Sequence, residues 1–183
     1  RNASDDVAGG SWSVTPYFHG EGGEDTKHPL SETNCGLASP VASDEAFTDG
    51  MVARHAVETL RDFSRTAQPF FLAVGFHRPH LPWIVPQKYF DLYPEEDDIP
   101  LAACPLPPVD YNATGAQPFS WDPQSGPRHC APLYGQTYPA PALLPEYGLV
   151  DNSTARHFRR SYWAAVSQMD RNVGIVLAEL HRL

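Results

Sequence analysis

Residues 77 to 80 read His-Arg-Pro-His, and Pro82 follows two positions later. These residue types suit one kind of chemistry. An imidazole can donate a hydrogen bond or a proton near neutral pH. A guanidinium adds permanent charge and a fork of donors. Pro79 and Pro82 fix their own φ and restrict the residues before them, so the side chains sit on a stiff turn. A stiff turn carrying His77, Arg78 and His80 suits an anionic oxyester. A zinc site is the poorer reading. Histidines at i and i+3 with a proline between them do not share a regular helix face, and no third ligand is evident.

The elements around the turn say where it sits. Phe70 to Phe76 is a short apolar run bounded by breakers, which predicts a strand buried on both faces. Open α/β sheets place ligands at such strand ends. Upstream, Ala53, Ala56, Val57, Leu60 and Phe63 recur at helical spacing, with Thr48 or Asp49 able to cap the helix. Helix, short link and buried strand form half of a parallel α/β unit. Residues 1–44 are polar and read as loop. After Pro82 the chain reads as irregular, with a short helix over 87–93 and a solvated acidic run, Glu95 to Asp98. Residues 99–150 hold many Pro, Gly and Tyr without a sustained period. The chain closes on a long helix capped by Ser153. Its apolar stripe is Phe158, Tyr162, Ala165, Val166, Met169, Val173, Val176, Leu177 and Leu180. On it, Asp170 and Arg171 read as a buried structural pair. Only one strand is clear, and such a strand needs neighbours for its backbone groups. The chain is therefore expected to be one piece of a larger α/β domain that folds poorly alone.

Composition narrows the function classes. The chain has 183 residues and a formal net charge of −9. That balance argues against a nucleic-acid binder, which would carry basic stripes. Any anion recognition must be local. No apolar stretch is long enough to span a bilayer. The opening, Arg-Asn-Ala-Ser, carries no signal peptide and reads as internal to a longer chain. Three of the five asparagines, Asn2, Asn112 and Asn152, stand in Asn-x-Ser/Thr sequons. They point to a secreted or lysosomal glycoprotein. Cys35, Cys104 and Cys130 match no zinc spacing. Cys104 and Cys130 could close the proline-rich loop, or all three could be buried thiols.

The string from Pro69 to Trp83, PFFLAVGFHRPHLPW, resembles the PFFL-x-x-G-x-H-x-PH-x-P block of type I sulfatases. Tyr89 to Pro94, Leu106 to Asn112 and Arg159 to Asp170 resemble later blocks of that family in the same order. The resemblance runs from about Ala46 to the end. It implies an alkaline-phosphatase-like α/β fold, of which residues 1–183 would be the central part of one catalytic domain, with 45–183 the family-like region. It implies sulfate ester hydrolysis on a sulfated saccharide, such as a glycosaminoglycan residue. It makes His80 the catalytic residue contacting the sulfate. His77 and Arg78 are further substrate-binding candidates. The alternative for His77 is orienting the turn, and for Arg78 capping a carboxylate. Trp83 could line a pocket or pack.

The family nucleophile is a formylglycine made from cysteine in a Cys-x-Pro-Ser-Arg context. None of the three cysteines has it. The family's calcium ligands belong upstream and downstream of the matched region. This chain by itself is thus expected to be inactive and to need the remainder of a sulfatase chain. Two alternatives remain open from sequence: a phosphodiesterase or phosphonate hydrolase of the same superfamily, and a non-catalytic secreted domain that binds anions.

Overall fold

The computed structural model describes residues 17, 23–27, 37–39, 41–66, 68–80, 82–103 and 152–183. The expectations for Asn2, Asn112, the three cysteines and the proline-rich stretch from 104 lie outside them. The described elements begin with a one-turn helix, α1 (Glu24–Lys27), and a short strand, β1 (Leu37–Ser39). A helix, α2 (Thr48–Ser64), follows, then a strand, β2 (Ile84–Pro86), and a one-turn helix, α3 (Gln87–Phe90). The last is the long helix α4 (Asn152–Arg182). Single 3₁₀ turns stand at Asp44–Ala46 and Glu96–Asp98.

The strand expected over 70–76 does not form. Instead β1 and β2 pair in parallel, with Leu37 opposite Ile84 and Ser39 opposite Pro86. Both strands fall where the sequence reads as loop or irregular chain. The reason is physical: β2 carries three consecutive buried residues, Ile84, Val85 and Pro86, and three residues are too few to show a period. Residues 70–76 have no ladder partner among the described residues, and Phe71 is 80% exposed. The stretch still alternates like a strand: Leu72, Val74 and Phe76 are half-buried, whereas Phe71, Ala73, Gly75 and His77 are exposed. Arg78 continues the inward set and is buried.

The core lies where β2, α3 and α4 meet. Val85, Tyr89, Phe90, Ala164 and Ala165 form one buried cluster, with Trp83 and Tyr93 packed against it. Fully burying a side chain such as Val or Phe stabilises by about 1.5–3 kcal/mol, so these contacts hold the end of β2 in place. Burial pushes the Tyr89 phenol up, and its hydrogen bond to Asp44 adds to the shift.

Helix α4 has the expected extent but turns a different face inward. Its buried residues are Arg160, Ser161, Ala164, Ala165, Gln168, Asn172 and Glu179. That stripe is rotated by about one residue, roughly 100°, from the apolar one. Tyr162, Leu177 and Leu180 are between 43% and 46% exposed. Small residues at 161, 164 and 165 let the helix approach its neighbours closely. Asp170 and Arg171 are exposed, not a buried pair. The acidic run is not merely solvated either. Glu95 accepts from Arg160 at 3.1 Å, and Glu96 pairs with His157.

Glu179 ties α4 to α2. It accepts from Arg61 Nε at 2.8 Å and also pairs with Arg182. Hydrogen bonds from Arg182 and Arg61 hold its carboxyl down to about 2. This lies below the unfolded value of about 4.3, so the tie contributes above that pH and is lost as pH falls towards 2. Glu179→Gln should therefore be less stable than the parent protein at neutral pH. In urea titrations the difference should close as pH drops through that window. A difference that stays constant with pH would contradict the assignment.

Gly50 marks the tightest approach. A Cβ there would overlap the backbone carbonyl of Asp44. Because the obstacle is backbone, Gly50→Ala should cost on the order of 3 kcal/mol in chemical denaturation. A cost near zero would show that the 3₁₀ turn can move away.

Candidate active-site turn

The turn is built on two buried carboxylates. Asp49, the second residue of α2, does not cap its own helix. Its Oδ1 accepts from the backbone N–H of His77 at 2.7 Å and its Oδ2 from that of Arg78 at 2.8 Å. Asp25, just past Gly23, takes the capping role from afar. Its Oδ1 accepts from Thr48 N at 3.0 Å and from Thr48 Oγ1 at 2.8 Å. Its Oδ2 accepts from Arg78 Nη2 at 2.7 Å. A carboxylate near a helix N-terminus is also favoured by the helix dipole.

Arg78 thus takes the second of the two roles open to it. Its guanidinium is buried, and it also donates to the carbonyls of Ile84 at 3.3 Å and His80 at 3.5 Å. Burial pulls its pKa below the ordinary value, against the opposing pull of Asp25 and Asp49. Its Nε has no partner among the described residues. An arginine so placed anchors the turn from inside.

The outer face carries the histidines. The Arg78–Pro79 peptide is cis, and His80 N donates to His77 O at 3.0 Å, closing a four-residue turn. The rings of His77 and His80 lie 4.7 Å apart between centroids, inclined at 45°. Both residues are exposed. Trp83 packs edge-on against Phe158 and Tyr162, and its Nε1 donates to Pro79 O at 2.7 Å. The site residues that the sequence groups together are therefore adjacent in space, two outward and one inward. Asp25 and Asp49 were not legible as part of it. Asp49 reads as a cap, and Asp25 stands 53 residues from the arginine it holds. No group of three or more His, Cys, Asp or Glu among the described residues could hold a metal ion. They do not fit a calcium site.

An exposed imidazole pair thus stands on a carboxylate-anchored turn shortly before a parallel strand. No family model matches the chain. Over 70 residues it is 76% identical to a protein of Formosa agariphila named as a sulfatase, an alignment covering 38% of this chain and 13% of that one. The chain is thus similar to proteins named as sulfatases.

More particular similarity is to iduronate 2-sulfatase. The human protein is 33% identical over 181 residues, covering 94% of this chain and 31% of its own length. The mouse protein is 33% identical over 195 aligned positions, covering all of this chain and 32% of its own length. The chain therefore spans about a third of the length of these relatives.

Proposed function

We propose that residues 1–183 are the central part of a type I sulfatase catalytic domain of alkaline-phosphatase-like fold. His80 meets the sulfate group of the substrate and His77 stands beside it. The carrying observation is the turn itself: two exposed imidazoles 4.7 Å apart on a backbone clamped by buried carboxylates. Cleavage of a sulfate ester develops charge on the bridging oxygen. An imidazolium held beside that oxygen can donate to it. Its position is set by the fold and costs no reorganisation during the reaction.

The family supplies a formylglycine nucleophile and a bound calcium. Neither is assigned to residues described here, so the part read for this chain is binding and proton donation. The similarity to iduronate 2-sulfatases supports a 2-sulfated iduronic acid in a glycosaminoglycan as substrate. The sequons support a secreted or lysosomal glycoprotein, and Asn152 is exposed at the start of α4. Among the described residues no helix is long and apolar enough to cross a membrane.

The test is substrate choice by the full-length protein. Incubated with 4-nitrophenyl sulfate, a 2-sulfated iduronide and bis(4-nitrophenyl) phosphate, it should release sulfate from the first two. Turnover of the phosphate diester alone would replace the sulfatase reading with a phosphodiesterase.

A further inference from the structure

We propose that Asp49 is a positioning residue for His80, acting through the backbone of the turn. This rests on the reading of His80 as the group that meets the sulfate. Asp49 is 3% exposed and offers one oxygen to each of two consecutive N–H groups, at 2.7 and 2.8 Å. Bonds from N–H to a carboxylate are shorter and stronger than neutral ones, and two in parallel fix orientation as well as distance. The clamp fixes the peptide planes at residues 77 and 78. The bond from His80 N to His77 O then carries that geometry to His80. Asp49 itself sits on the first turn of α2, the most regular element near the site. Its neighbour Thr48 is bound to Asp25, which holds the Arg78 side chain. Backbone and side chain of Arg78 are therefore referred to adjacent residues of one helix, and small motions of the turn are opposed from two directions.

Only a carboxylate satisfies both N–H groups. Asparagine has one acceptor oxygen, and its amide N–H₂ would face the second donor, leaving that donor buried and unpaired. Asp49→Asn should therefore loosen the turn while keeping the shape of the side chain.

A double-mutant cycle in the full-length protein separates positioning from general support. On 4-nitrophenyl sulfate, Asp49→Asn should lower kcat at least tenfold in the parent protein and less than twofold in the His80→Ala background. Equal losses in both backgrounds, or no loss in the parent, would overturn the proposal. Asp62→Asn, on the exposed side of the same helix and bonded to Arg65, should leave kcat unchanged. If Asp49→Asn does not fold, Asp49→Glu takes its place: its extra methylene moves the carboxylate off the two N–H groups, so the same pattern is expected. Amide hydrogen exchange is read in parallel, because it needs no turnover. Asp49→Asn should speed exchange at His77 and Arg78 at least tenfold, and unchanged exchange would overturn the clamp. Should the parent protein hydrolyse no sulfate ester, the reading of His80 fails and exchange alone decides the clamp. Should His80→Ala match the parent in kcat, that reading fails while the clamp is still decided by exchange.

Discussion

Replacing His80 by alanine in the full-length protein should lower kcat for sulfate esters by about 10²-fold, the lower end of what a positioned acid or base contributes. The loss should appear in kcat as well as kcat/KM, because the imidazole matters most when charge develops on the bridging oxygen. Stability should change little. His80 is exposed, and the bond that closes the turn uses its backbone N–H, which alanine keeps. Steady-state kinetics with an aryl sulfate, alongside thermal melts, checks both parts. Unchanged turnover would remove His80 from the reaction.

Arg78→Met should have the largest effect on stability. The Arg78–Asp25 pair is buried on both sides, with side-chain exposures of 2% and 5%. Methionine roughly keeps the length of the side chain but removes the charge. Among the described residues the buried Asp25 carboxylate is then left with Thr48 as its partner. Breaking a buried pair from one side costs about 3–5 kcal/mol. Activity should fall as well, since the turn loses its inner anchor. Urea denaturation of the full-length protein gives the first number and kinetics the second. A loss below about 1 kcal/mol would mean that water or a neighbouring group takes over the pairing.

How far the sequence reveals this arrangement differs from one element to the next. The two longer helices are legible because 3.6-residue periodicity persists over many turns, and α4 ends where its pattern ends. The turn is legible because prolines constrain their neighbours locally. What fails does so for long-range reasons. The run from Phe70 to Phe76 has the composition of a buried strand, but a strand exists only with a ladder partner, and none is present among the described residues. Its alternating exposure is what remains of the strand pattern. β1 and β2 are three residues each, too short for any period to register. The inward face of α4 departs from its apolar stripe because the fully buried Ser161 and Ala164 stand beside Ala165. Small residues permit approach without looking hydrophobic.

The site shows the same division. His77, Arg78 and His80 are adjacent in sequence and stand out together. Which way each one points depends on strand alternation and on the partner waiting inside. The partner of the Arg78 side chain is an aspartate in a polar segment that reads as loop. Nothing local distinguishes Asp25 from its acidic neighbour Glu24. Asp49 is recognisable as a helix-start acid, yet its bonds go to another segment 28 and 29 residues away. Carboxylate-to-backbone contacts of this kind leave no periodic trace in a sequence.

We read the His77–His80 turn as one wall of a sulfate-binding site. The most direct test is a crystal structure of the full-length protein soaked with inorganic sulfate. A sulfate oxygen should lie about 2.7–3.2 Å from a ring nitrogen of His80, with the Arg78 guanidinium still turned inward on Asp25. A sulfate bound at the formylglycine position with His80 beyond hydrogen-bonding reach would rule the turn out as that wall.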